Sequence, residues 1–291
     1  MQTTAHTQPA LERVPAAALM LGAIASVQVG AAVATTLFDD LGPAGTVLVR
    51  VLFAAVVLAI LWRPAPRAHA PRELRLAVLF GLALAAMNLS YYESIDRIPL
   101  GVAVTLEFVG PLSVAIAGSR DRLDLLWAGL AAAGVVLLGG VSSANLAGVL
   151  FALLAGCFWG AYILLSVRVG RVFPGGSGLA LAMCAGAVIL LPVGIAGAGS
   201  SLLAVGPLAA GFGVAMLSSL IPYSFELEAL RRLPANVFGV LMSLEPAMAA
   251  LAGFVVIGQG LAAIDLVAIA LVVAASIGAM RGVRQPAAID A

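Results

Sequence analysis

Two stretches of this sequence place a carboxylate beside a proline inside an otherwise apolar run: VTLEFVGPL at 104–112, with Glu107 and Pro111, and LMSLEPAMA at 241–249, with Glu245 and Pro246. A charge in hydrocarbon costs at least about 2.5–3.5 kcal/mol on insertion scales, so such groups face a cavity or a partner. Each proline removes one helical hydrogen bond and frees the carbonyl four residues earlier. That carbonyl belongs to Glu107 itself for Pro111 and to Met242 for Pro246. Freed carbonyls and half-helix ends are what transporters use to hold ions and polar substrate groups. The plainer alternative is that a transmembrane proline merely kinks its helix.

Other polar residues lie at similar depth. At ~1.5 Å per residue, Glu107 sits about 12 Å from one membrane face, Glu245 about 16 Å from the other, and Arg50 about 10 Å deep. Arg50 has two readings, a ligand for a substrate carboxylate or the neutralising partner of Glu107. Asn88, Tyr91 and Tyr92 lie at a comparable depth on one helix, and Tyr223, Glu226 and Leu227 correspond to them 135 residues later. Glu226 also precedes Arg231 by only five residues, which offers an interfacial ion pair instead. In GCFWGAYIL at 156–164, Trp159 and Tyr162 are three apart and share a helical face, either lining a site or packing.

These residues need helices to position them, and composition supplies the type. Of 291 residues, 63% are apolar and 10% charged, against roughly 45–50% and 25% in a soluble domain. Apolar segments long enough to cross ~30 Å of hydrocarbon recur along the chain, which predicts an all-α polytopic membrane protein. Ten transmembrane helices are expected at about 15–37, 43–62, 75–95, 99–118, 123–141, 145–168, 177–199, 205–230, 234–257 and 262–281. Ala32-Val33-Ala34 faintly resembles a signal-peptide cleavage site, but the first apolar segment exceeds a usual signal core and stays as helix 1. With the N-terminus inside, thirteen of the fourteen arginines outside the helices fall on the cytoplasmic side, Arg97 being the exception. Both termini are therefore expected to be cytoplasmic.

The net charge of +1 says nothing about partners, and no basic run suggests nucleic acid, so no nucleic-acid partner is expected. Cys157 and Cys184 fall inside apolar helices with no disulfide or metal-ligand spacing, and His6 and His69 lie in polar flanks. No cofactor or metal site is expected. Neither a zinc-protease helix, a nucleophile elbow, a Gly-rich phosphate loop nor an Asp-rich metal box is present, so the chain is not expected to be an enzyme, an intramembrane enzyme being the class-level alternative to a transporter.

An internal repeat runs through the same residues. At an offset of 135, Glu93 matches Glu228, Arg97-Ile98-Pro99 matches Arg232-Leu233-Pro234, Pro111 matches Pro246 and Gly118 matches Gly253. The chain thus divides into a tail at 1–14, a first five-helix repeat at 15–141, a second at 142–281 and a tail at 282–291. An odd helix count turns the second repeat upside down, and inverted repeats are a transporter architecture with the substrate near the midplane.

The motifs MNLSYYESI at 87–95, PLGVAVTLEFVGPLSVA at 99–115, IPYSFELEALRRLP at 221–234 and FGVLMSLEPAMAA at 238–250 resemble the drug/metabolite transporter superfamily. Within it they look like the bacterial inner-membrane threonine/homoserine exporters, over about residues 15–281. The resemblance implies export of small neutral amino acids in exchange for protons, across the bilayer of the cytoplasmic membrane. It implies a central cavity lined by helices 1 to 4 and 6 to 9, with helices 5 and 10 peripheral. A zwitterion needs an anionic site for its ammonium group, for which Glu107 or Glu226 is expected. Arg50, Asn88, Tyr92 and Tyr223 are then expected at the carboxylate or a side-chain hydroxyl. Glu107, with Glu245 second, is expected to couple transport to protons. Efflux of other small metabolites or of lipophilic cations is the alternative, and Arg50 disfavours a cationic cargo.

Overall fold

The computed structural model describes residues 14–117, 123–141, 145–230, 232–233, 238 and 241–282. The described helices are α1 (Ala16–Thr35), α2 (Phe38–Trp62), α3 (Pro71–Ile95), α4 (Leu100–Glu107), α5 (Val109–Ala117), α6 (Leu123–Val141) and α7 (Leu146–Val172). They continue as α8 (Ser177–Ala198), α9 (Val205–Ala215), a π-helical turn at Met216–Leu220, α10 (Ile221–Leu230), α11 (Glu245–Ile257) and α12 (Ala263–Gly282). Five helical stretches are long and apolar enough to cross a membrane, and five shorter apolar ones bring the described segments to ten, at the ten expected positions. Large apolar side chains such as Ile60, Leu61, Val136, Phe254 and Val255 point outward, as lipid-facing side chains do. The expected tails at 1–14 and 282–291 and the start of the ninth helix fall almost wholly outside the described residues.

Local signals set the helix ends. Gly42 adopts φ 64°, ψ 168° and separates one turn, carrying Asp39 and Asp40, from the membrane-crossing part of α2 that starts at Pro43. Acidic residues in a first turn complement the positive end of the helix dipole. Asn145 caps α7, its Oδ1 accepting from Gly148 N at 3.3 Å.

Three expected helices are not continuous. The span expected at 99–118 is two helices, α4 and α5, meeting at Phe108. Pro111 has no N–H to give the Glu107 carbonyl, so the ladder is interrupted there. The span expected at 205–230 contains the π-helical turn. In the span expected at 234–257, Ser243 and Leu244 form a turn and α11 begins anew at Glu245, with Pro246 in its first turn. Pro246 thus opens a half-helix rather than kinking a whole one, the position proline tolerates best.

The helices pack in pairs across the chain: α2 on α8, α3 on α7, α6 on α12, α1 on α10 and α4 on α11. Exchanging the two halves maps this set of pairings onto itself. Small residues let backbones meet at these seams, the usual route to helix association in lipid. A methyl built on Gly45 of α2 would stand 2.5 Å from Ala198 Cβ of α8, and one on Gly101 of α4 would stand 2.7 Å from Ala250 Cα of α11. The matching pairs of the sequence repeat also form matching contacts. Arg97 bridges Glu93 at 2.7 Å, and Arg232 forms the corresponding ion pair with Glu228.

Candidate functional site

Where the helix breaks converge, the bundle holds a cavity of about 210 Å³. Val27, Gln28 and Ala31 of α1 form one wall, and Arg50 and Val51 of α2 the next. Leu84, Met87, Asn88 and Tyr91 follow on α3, then Val104 and Glu107 on α4. Trp159 and Tyr162 of α7, Met183 of α8 and Ser218 and Ser219 of the π-helical turn face them. Pro222, Glu226, Met242 and Glu245 complete the lining. All eight spans that the resemblance implied contribute, and none of these residues belongs to α6 or α12.

The breaks deliver the acids. Glu107 is the last residue of α4 and Glu245 the first of α11, and each is less than a tenth exposed. At the α4–α5 break the Glu107 side chain faces the cavity while its carbonyl faces α7. A methyl on Gly156 would stand 2.6 Å from that carbonyl oxygen, and one on Gly110 would stand 1.9 Å from Gly156 O. The carbonyl freed by Pro111 is therefore sealed against a glycine of the neighbouring helix rather than turned to the cavity.

Arg50 is the cationic counterpart. Its guanidinium donates to the Tyr92 hydroxyl at 3.1 Å and lies 5.5 Å from the centroid of that ring. Tyr92 is fully buried and does not line the cavity, so it orients Arg50 from behind. Glu107 lies within electrostatic reach of Arg50, and Glu245 within reach of both Glu107 and Glu226. Among the described residues the cavity is thus bordered by three carboxyls and one guanidinium.

The remaining expected residues sort by geometry. Asn88 lines the cavity, with its amide nitrogen bonded to Leu84 O at 2.8 Å. Trp159 lies edge-on to Phe108 at 5.7 Å and Tyr162 stacks on Phe80 at 5.0 Å, so both rings pack and line at once. Glu226 lines the cavity, while its alternative partner Arg231 lies outside the described residues. The side chain of Tyr223 lies outside them too. Pro111 and Pro246 act on the backbone and are not part of the wall. Among the described residues no cluster of His, Cys, Asp and Glu is arranged to hold a metal ion.

Gln28, Ser218 and Ser219 escaped the sequence reading. Gln28 is the one amide of the first span, which was a usable signal. The run MLSSL itself does not announce a π-helical turn, but Pro222, which has no N–H for the Ser218 carbonyl, was a usable signal beside it. That turn is held from α1, where Ser26 Oγ donates to Leu217 O at 2.6 Å and Gly30 leaves room for Ser218, a methyl there standing 2.3 Å from Ser218 Oγ.

Residues 146–281 match the EamA-like transporter family. The chain is 40% identical over 276 residues to the threonine/homoserine exporter RhtA of Escherichia coli strain K12, covering 93% of each chain. It is 39% identical over 272 residues to the threonine/homoserine exporter RhtA of Salmonella typhimurium strain SL1344, covering 92% of each. A solved crystal structure superposes with a TM-score of 0.58 at 19% identity, covering 90% of this chain and 96% of the other, a likeness of fold.

Proposed function

This chain belongs to the EamA-like transporter family, and on that premise we propose that it is a proton-coupled exporter of small neutral amino acids of the threonine and homoserine kind, working by alternating access in the bacterial inner membrane. It is a transporter and not an enzyme. The observation that carries the substrate class is the cavity itself: about 210 Å³, bordered by Glu107, Glu226 and Glu245 on one side of the charge balance and Arg50 on the other. That volume is below the ~300–1,000 Å³ of sites for drug-sized ligands. A zwitterion fits both its size and its paired charges.

In this reading Glu107 or Glu226 receives the ammonium group, and Arg50, held by Tyr92, receives the carboxylate. Asn88, Trp159 and Tyr162 complete the surround, and Tyr223 is assigned with Asn88 to the carboxylate or a side-chain hydroxyl. Glu107 carries a proton in one facing state and is ionised beside substrate or Arg50 in the other, so an entering proton displaces a leaving amino acid. Glu245, the first residue of α11 and part of the cavity wall with Glu107 and Glu226, is the second coupling candidate. Two inverted five-helix repeats, 15–141 and 142–281, with both termini cytoplasmic, supply the two facing states. The symmetric pairing of helices across the halves supports this.

The test is survival of a threonine- and homoserine-sensitive strain expressing the chain, with efflux measured alongside. Resistance with efflux is expected. Neither resistance nor efflux, with the protein present in the membrane, overturns the amino-acid reading. Efflux of a lipophilic cationic dye in its place would favour the alternative cargo.

A further inference from the structure

One group in the cavity wall has no part in the binding and coupling roles given above. Tyr91 lines the cavity and is 8% exposed. Its ring lies edge-on to that of Tyr92, the centroids 5.8 Å apart, yet the two hydroxyls differ. That of Tyr92 accepts from Arg50. That of Tyr91 has no hydrogen-bond partner among the described residues and is not sealed off by them. Gln28 Oε1 and Ser218 Oγ, which also lack a partner there, are sealed into the wall.

Two acids from different helices act on this hydroxyl. Tyr91 lies within electrostatic reach of Glu107, the last residue of α4, and of Glu245, the first of α11. Tyr92 of its own helix and Arg50 of α2 are the other titratable or charged groups that act on it. Glu226 of α10 stands one step further off, within reach of Glu245. Buried polar groups are nearly always satisfied, by ordered water where the protein supplies nothing. At ~30 Å³ for each water, a cavity of about 210 Å³ holds several. Phenol and carboxyls on one wet wall are thereby joined by hydrogen bonds. The repeat singles out the same position: Glu226 corresponds to Tyr91 at the offset of 135, and both line the cavity. Each half of the chain thus sets a group that can hold or pass a proton at this register.

We propose that Tyr91 is a proton relay of the transport cycle, its hydroxyl passing protons between Glu107 and Glu245. The inference rests on the proton-coupled reading above and deepens it. A phenol both donates and accepts. In the step, the Tyr91 hydroxyl gives its proton to the ionised carboxylate of one acid, directly or through one water, as the protonated carboxyl of the other delivers a proton to the phenol oxygen. One O–H bond breaks and one forms at Tyr91, which is neutral before and after. The net change is one proton moved from one acid to the other. Glu107 belongs to the first half of the chain and Glu245 to the second, so the relay crosses the seam between them.

Tyr91→Phe removes one oxygen that bonds no described protein group and keeps the ring that packs on Tyr92, so the variant is expected to insert. In vesicles containing the full chain, exchange of labelled threonine at equal pH needs no net proton movement, whereas accumulation driven by a pH gradient needs one in every cycle. Tyr91→Phe is expected to keep exchange within about twofold of the parent and to slow accumulation about tenfold, a positioned proton-transfer group contributing roughly 10²–10⁴-fold and cavity water replacing part of it. Should that variant fail to insert, Tyr91→Met, apolar and adaptable in shape, decides in its place. A loss of exchange as large as the loss of accumulation makes the hydroxyl a substrate ligand or a packing group and overturns the relay. Unchanged accumulation overturns it as well. A parent protein that exchanges threonine without accumulating it under a pH gradient overturns the proton-coupled reading itself, a separate and distinguishable failure.

Discussion

A carboxyl at the end of a half-helix has two jobs open to it, and its side chain and its carbonyl here divide them. The Glu107 side chain faces the cavity, and its freed carbonyl is packed on Gly156. If the carboxyl is the coupling group, removing its charge must separate coupling from binding. Glu107→Gln is therefore expected to insert and to exchange labelled threonine across vesicles at equal pH, while failing to accumulate it when a pH gradient is imposed. A variant that still accumulates substrate with the normal pH dependence removes Glu107 from that role and makes Glu245→Gln the deciding substitution. The sequence made both acids and Arg50 legible because charge in an apolar run is conspicuous. Gln28 and Ser218 were not, since an uncharged polar residue in a helix is ordinary until its lack of a partner is seen in three dimensions. Tyr92 was read as a ligand but stands behind Arg50, a distinction between touching the cavity and orienting what touches it that spacing along a helix does not encode.

At the scale of the element, what makes the site is the interruption of three spans at one level. All three interruptions have a proline within three residues, Pro111, Pro246 and, two residues past the π-helical turn, Pro222. The sequence could be read for the first two beside their acids, whereas the π-helical turn is also anchored by Ser26 and Gly30 of a distant helix, which no local pattern contains. The α4–α5 break depends on a backbone meeting with α7. Gly110→Ala sets a methyl against Gly156 O, and overpacking of this kind costs about 1–3 kcal/mol. A lowered melting temperature in detergent and a reduced folded yield are expected. Gly170→Ala, where an added methyl meets nothing within 4 Å, is the matched substitution and is expected to leave both unchanged. Equal behaviour of the two would show that the close crossing is not what holds the break.

For the whole molecule, apolar length alone gave the ten spans, since few soluble folds tolerate so little charge, while the meeting of the two halves follows from packing that no single stretch contains. The proposed topology has a direct consequence. In a background without Cys157 and Cys184, Ser200→Cys is expected to react with a membrane-impermeant maleimide on intact cells, and Arg67→Cys only after the cells are opened. The opposite pattern would invert the topology. The central claim, that proton movement drives amino-acid export through this cavity, is tested most directly in vesicles containing only the purified chain, acidic inside and diluted into alkaline buffer with labelled threonine or homoserine. Protons leaving must bring substrate in, so the internal concentration is predicted to rise above the external one and to collapse when a proton ionophore is added. Uptake that only equalises the two concentrations, at the same rate with or without the pH gradient, would contradict the account.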